Sequence, residues 1–554
     1  MKRIDAATLR GWIADGTELA LLDAREEGEF GASHMFWAVP CPLSQAELRA
    51  RALLPRRGAR IVCTDDGRGL AERLAGWLEQ DGCTDVSVLD GGTKAWADAG
   101  YVLFSGVNVP SKAFGEWVEH HYGTESVDPP ELKAWLDSGR DMVVLDSRTL
   151  EEFTRMSIPR GVSVPGGELV YRIGDIAPDP KTLVVVNCAG RTRSILGAES
   201  LRRAGIPNKV VALRNGTMGW ELAGLRCERG RVERFSPGTP KTLGLALERA
   251  GQFAEACGVR TIDAAQFAAF EADPARSMYV LDVRDPPEFR ADHRAGSVNA
   301  PGGQLVQATD RWVGVRGARI VLLDDTGARA LMSAAWLRLM GHRDVYVVAG
   351  GLAAVRGGGK AAPAIPELAG AAASGAAIDV PGLVRLLDAG DDTLVVDLAR
   401  SVDYRDGHIP GALWGIRTRL DALAPRLAEA RHVVATSPDG KLARLALAEL
   451  RGLTGADVVA LEGGTDHWQA HGRPLVKDRT SPSDEACVDC YLRPYDRNSG
   501  IEEAMNAYLS WEIDLVNEIT RDGTVRFGVE ALEMEASGMQ HMDSSGAGEP
   551  AHAG

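Results

Sequence analysis

Short apolar runs closing on an aspartate recur four times along the chain: Leu21-Leu22-Asp23, Val144-Leu145-Asp146, Val280-Leu281-Asp282 and Val395-Val396-Asp397. Runs of this length, bounded by polar turns, predict buried strands. An acidic-aromatic pair follows each one: Glu29-Phe30, Glu152-Phe153, Glu288-Phe289 and Asp403-Tyr404. Between strands such as Ile61-Val62-Cys63, segments such as Leu70 to Glu79 and Ile195 to Arg203 carry helical patterns. Strand and helix in alternation predict an α/β fold built of βαβ units, a mostly parallel sheet with helices on both faces.

The repeats keep register over further landmarks. Forty-two residues beyond Asp23, Asp146 and Asp282 stand Asp65, Cys188 and Asp324, and forty beyond Asp397 stands Ser437. Each repeat then closes on another strand and a Gly-containing turn: Leu89-Asp90-Gly91-Gly92, Leu213-Arg214-Asn215-Gly216, Val348-Ala349-Gly350-Gly351 and Leu461-Glu462-Gly463-Gly464. The leading aspartates lie 123, 136 and 115 residues apart, a period that suits whole small domains and not solenoid units. We expect four tandem domains, at 1–105, 125–230, 258–358 and 375–476, with a helical carboxyl-terminal extension over 477–554.

The junctions are Ser111 to Asp128, Arg231 to Gly258 with a helix from Lys241 to Ala256, and a Gly/Ala/Pro-rich flexible spacer from Gly357 to Ala377. In the extension, Cys487-Val488-Asp489-Cys490 precedes a helix expected from about Gly500 to Thr520, with Ser499 as its cap. Met505, Leu509, Ile513 and Val516 form one stripe, widened by Tyr508, Leu515 and Ile519, so this helix should dock on a domain or another subunit. Residues after about Ala536 are too polar and small to bury a core and are expected to be disordered.

Composition removes several function classes. The 554 residues are 45% hydrophobic and 25% charged with a formal charge of −15, which argues against nucleic acid or an anionic membrane as partner. No apolar run reaches membrane-spanning length. Eight cysteines scattered over this length make no disulfide framework and favour a reducing, cytoplasmic setting.

One segment carries candidate chemistry. Cys188-Ala189-Gly190-Arg191-Thr192-Arg193-Ser194 lies between the apolar strand Leu183 to Val186 and the helical stretch Ser194 to Arg203. Unpaired backbone N–H groups and the helix dipole stabilise a thiolate or anion at such a place, and two arginines add fixed charge. Cys188 should therefore ionise readily and attack an electrophile carried by an anionic substrate.

With Asp146-Ser147-Arg148, Asp282-Val283-Arg284, the Glu-Phe pairs, Gly407-His408-Ile409-Pro410-Gly411-Ala412, the Cys loop and Gly463-Gly464-Thr465-Asp466-His467-Trp468 in view, the chain resembles the rhodanese family, four domains in tandem. The resemblance places the nucleophile at Cys188 in repeat two and makes repeats one, three and four silent, with Asp65, Asp324 and Ser437 in its place. Leu70 and Leu442 stand where Arg193 and Arg329 do, so the silent loops are expected to have lost most of their anion-binding character. It implies a sulfurtransferase. Cys188 takes the sulfane sulfur of thiosulfate or a similar small anionic donor, releases sulfite, and passes the sulfur from its persulfide to cyanide, a thiol or a protein acceptor. Ala189, Gly190, Arg191, Thr192, Arg193 and Ser194 would bind the donor, and no metal or organic cofactor is needed.

Alternatives remain beside this reading. A cysteine phosphatase or arsenate reductase typically has five residues between Cys and Arg, whereas four separate Cys188 from Arg193. A persulfide carrier, sensor or scaffold of low turnover would deliver its sulfur only to a particular protein. Cys487 and Cys490 would either relay sulfur from Cys188 or form a structural turn; zinc lacks a second ligand pair. Cys63 is expected as a small buried hydrophobe, and packing is favoured for Cys41, Cys83, Cys227 and Cys257. Asp146, Arg148 and Glu152 recur in silent repeats and are expected to stabilise the turn, and His408 is expected to be structural.

Overall fold

The computed structural model describes residues 1–357, 368, 377–390 and 392–528. Most of the spacer expected over 357–377, and the whole segment after Ala536, lie outside them. Four five-stranded, all-parallel sheets follow one another. In repeat one, β1 (Lys2–Ile4), β2 (Ala20–Asp23), β3 (Val39–Pro40), β4 (Arg60–Thr64) and β5 (Asp85–Leu89) are ordered β1-β5-β4-β2-β3. Repeat two repeats this with β6 (Ser126–Val127), β7 (Met142–Asp146), β8 (Gly161–Ser163), β9 (Leu183–Asn187) and β10 (Val210–Leu213), ordered β6-β10-β9-β7-β8. Repeats three and four have the same order.

The central strands are apolar through their middles because helices cover both faces; every residue of β9 is buried. Each strand-ending aspartate organises the turn that follows. Asp146 accepts the Arg148 backbone N–H at 3.1 Å and its guanidinium at 2.8 and 2.7 Å, and Arg148 also donates to the Met156 carbonyl. Asp23 with Arg25 and Asp282 with Arg284 do the same. Repeat four has Ala399 in the arginine's place, and burial, without a cation to offset it, pushes Asp397 up to about 6.

The expected helix over 241–256 forms as Pro240–Ala256, started by Thr239. The junction over 111–128 is not a plain connection. Val109–Tyr122 is a helix that packs against both the helix after Cys188 and the C-terminal helix. That last helix runs Ile501–Asp522 and is entered through Gly500 in the left-handed region (φ 63°), which a glycine takes without Cβ strain, so Ser499 is not its cap. Its buried face is Met505, Leu509, Glu512, Leu515 and Ile519, whereas Ile513 is 45% exposed. The apolar stripe is thus rotated from the expected one, with a carboxylate at its centre.

Repeats one, two and three share a continuous core, whereas repeat four has clusters of its own. Repeats two and three meet where Gly166 and Gly167 press on Gly302 and Gly303, and Trp336 donates to Ser200 at 2.8 Å. Repeats one and three exchange backbone bonds between Leu19 and Arg316, and Tyr279 donates to the Leu53 carbonyl. Repeats one and four join through Arg417 to Glu47 and Thr418 to Glu26.

Candidate active site

Cys188 follows β9 directly, at the carboxyl end of its sheet, and helix Thr192–Arg203 begins four residues later. This is where open parallel sheets present ligand sites. The closing turn explains why the last landmark is glycine in every repeat. Thr217 N–H binds the Cys188 carbonyl at 2.9 Å and Met218 N–H the Ala189 carbonyl at 3.0 Å, and a Cβ on Gly216 (φ 55°) would overlap the Cys188 carbonyl. Gly92, Gly351 and Gly464 stand in the same relation to Asp65, Asp324 and Ser437.

The Cys188 residue is 2% exposed, and its Sγ lies 3.4 Å from Ser194 Oγ, which in turn donates to the Arg191 carbonyl. Neither loop arginine is free. Arg193 donates to both Glu152 oxygens at 2.7 and 2.8 Å, and Arg191 binds Glu116 at 2.8 Å, Asn215 at 3.3 Å and Glu119. Both are expected to bind the donor; in the structure their charge is committed to carboxylates that fix the loop. Glu152 does more than start its helix, since it is Arg193's partner. Burial opposes its charge, but Arg193 overcomes that and holds the carboxyl below its usual range. Burial pushes Glu116 up to about 7 although Arg191 pulls the other way.

Several of these residues lie outside repeat two. Glu116, Glu119 and Lys112 come from helix Val109–Tyr122. The C-terminal helix crosses the loop: the Cβ position of Gly190 lies 3.3 Å from both Glu512 Oε2 and Tyr508 Cε1, and 3.7 Å from Leu509. Met505 and Leu509 pack with Met218, bordered by Ala189, Tyr495 and Tyr508. Glu512 accepts the Thr192 hydroxyl and N–H and pairs with Lys112.

The other three loops correct a second expectation. In repeat one, Asp65 accepts backbone N–H groups from Gly67 at 2.8 Å, Leu70 at 2.7 Å and Ala71 at 3.3 Å. In repeat three, Asp324 accepts from Asp325 and Arg329 at 2.8 Å each and from Ala330 at 3.4 Å. Ser437 Oγ accepts from Ala443 at 3.3 Å. The loops of repeats one and three keep an anion cup that their own carboxylate fills, and that of repeat four keeps one such amide on its hydroxyl. The matching amides of repeat two are those of Ala189, Gly190, Arg193 and Ser194.

Cys487 and Cys490 lie elsewhere. Cys490 Sγ is 3.2 Å from Ser401 Oγ, Cys487 donates to the Ser483 carbonyl, and the Val488 and Cys490 carbonyls press on Gly28. Both thiols are buried between repeats one and four, and burial pushes Cys490 up to about 12. Among the described contacts none joins the pair to the Cys188 loop. Cys63 is fully buried within β4. His408 stacks on Tyr404 and bonds its carbonyl. Among the described residues no helix is long and apolar enough to cross a membrane.

The rhodanese-like domain model matches residues 5–99, 128–223, 264–357 and 380–471. The chain is similar to the thiosulfate sulfurtransferase of Pseudomonas aeruginosa, known from its crystal structure. Identity is 44%, with 95% of this chain and 99% of that one covered at a TM-score of 0.87. It is also 34% identical over 76 residues to the uncharacterized protein YqhL of Bacillus subtilis (strain 168), matching 14% of this chain and 59% of that protein's length.

Proposed function

The chain belongs to the rhodanese family, and we propose that it is a sulfurtransferase with a single working site, at Cys188 in repeat two. The thiolate attacks the sulfane sulfur of thiosulfate or a related small donor, the S–S bond breaks toward sulfite, and the outer sulfur stays on Cys188 as a persulfide. A thiol, cyanide or a protein acceptor then removes it.

The observation that carries this reading is the trio of amides on Asp65. A carboxylate oxygen stands one bond beyond Cγ, as a persulfide's outer sulfur stands one bond beyond Sγ. The amides of Gly190, Arg193 and Ser194 are the counterparts of that trio, and that of Ala189 matches the Asp325 amide on Asp324; together they would hold that charged sulfur. Arg191 and Arg193 act as positioning residues through Glu116 and Glu152. The similarity to a thiosulfate sulfurtransferase supports the donor class.

Intact mass after exposure to thiosulfate tests this. The wild type should gain the mass of one sulfur and Cys188→Ser none; an equal gain in both would refute the assignment. One observation favours a slower carrier: Cys188 is 2% exposed beneath the C-terminal helix. A carrier would load once and discharge only to a particular protein, whereas an enzyme turns over with small thiols.

A further inference from the structure

Glu512 is fully buried, and only one of its two carboxylate oxygens has partners. Oε1 accepts the Thr192 hydroxyl, the Thr192 N–H at 3.4 Å and the Lys112 ammonium at 3.2 Å. Oε2 has no donor among the described residues and lies 3.3 Å from the Cβ position of Gly190. A buried, unsatisfied carboxylate oxygen costs free energy and marks a place where a hydrogen-bond donor belongs. The position is telling, because Gly190 corresponds to Gly67, whose N–H helps hold Asp65 in repeat one. The orphan oxygen therefore lies against a loop residue whose N–H would hold the outer sulfur.

We infer that Glu512 is a catalytic base that takes the proton of an incoming thiol and returns it to the persulfide, which makes a protonated thiol the acceptor class. The inference rests on the sulfur-transfer reading above. In discharge, Glu512 accepts the proton of R–SH, and the resulting RS⁻ attacks the outer sulfur of Cys188–S–SH. The S–S bond breaks with its electron pair going to the Cys188 sulfur, and R–S–SH leaves. In reloading, the Cys188 thiolate displaces sulfite from thiosulfate, and protonated Glu512 gives its proton to the new persulfide anion. The cycle closes as RSH plus thiosulfate to RSSH plus sulfite, with no oxidant or further proton required.

Sulfite as acceptor separates this role from a structural one. Its attack is the reverse of loading: the persulfide's own proton returns to Glu512 and none comes from the acceptor. In a variant with no proton to give, the persulfide stays an anion that sulfite attacks unaided, whereas a thiol must always lose a proton. Glu512→Gln keeps size and a hydrogen bond to Thr192 but cannot take the proton. The expected result is a fall of about 100-fold in the ratio of thiol-dependent to sulfite-dependent discharge of the loaded protein, the size general bases supply. Thiol discharge by the variant should also climb with pH as thiolate becomes available without help. The groups facing Glu512 are Lys112, Arg191, Glu116, Tyr491 and Tyr508, none of which the substitution changes. Equal loss with both acceptors would overturn the inference while leaving sulfur transfer intact. Failure of the wild type to load from any sulfane donor would overturn both. Should Glu512→Gln not fold, Glu512→Asp, which keeps the charge but draws it back by one methylene, should lower the same ratio by a smaller factor; an unchanged ratio would equally refute the role.

Discussion

Glu116 shows how a residue outside the sheet can tie the loop's stability to pH. Burial pushes its carboxyl from 4.5 to about 7, so the folded protein holds that proton more tightly than the unfolded chain does. Its contribution is fully present below pH 4.5 and is lost as pH rises toward about 7, because the native state then binds more protons than the unfolded one. Glu26, also pushed up to about 7, gives the same sign, so the variant must be compared with the wild type. Glu116→Gln should flatten the fall in unfolding free energy across that window in denaturant titrations. Parallel curves for the two proteins would show that Glu116 does not titrate there. Arg193 behaves oppositely, since its partner Glu152 stays charged over this range.

At the scale of elements, the C-terminal helix is the piece that repeat two lacks on its own. Leu509, 5% exposed, packs with Met218 and Met505 over the loop. Leu509→Ala should cost about 2–5 kcal/mol if the cover does not collapse onto the gap, and it should speed alkylation of Cys188 by a bulky reagent. Slower or unchanged alkylation would mean the helix does not screen the thiol. The strands, the loop and the closing glycines were legible because each is local: a run of β-branched residues, a turn, a residue whose Cβ cannot fit. The partners of Arg191 and Arg193 were not, because Glu116 and Glu152 reach them from 75 and 41 residues away. Glu512 did leave a trace. Residues 505, 509, 512 and 516 share one helical face, so a carboxylate amid apolar neighbours at that phase was the visible sign of a buried charge. The expected alternative, with Ile513 inward and Glu512 toward solvent, gives an equally regular stripe, and only tertiary packing decides between them.

Across the whole molecule, the repeats without a cysteine at the loop position contribute to how the chain is joined. Arg329 is completely buried and binds Asp324, Asp325 and Glu288 of its own repeat, and also Glu168 of repeat two at 2.8 Å. The arginine that matches Arg193 has become a clamp between repeats. Removing it strands buried carboxylates, which typically costs about 3–5 kcal/mol. Arg329→Met should therefore lower the thermal midpoint of the full chain, and an unchanged midpoint would mean the cluster contributes no net stability. The reach of Glu512 has a further consequence for the making of the protein. The loop at Thr192 receives that carboxylate from 320 residues downstream. At a synthesis rate of about 5–20 residues per second, the ribosome needs roughly 16–64 s to bridge that distance. Through that interval a nascent chain carries its thiol without its base, so complete chemistry is withheld until the ribosome has delivered the final helix.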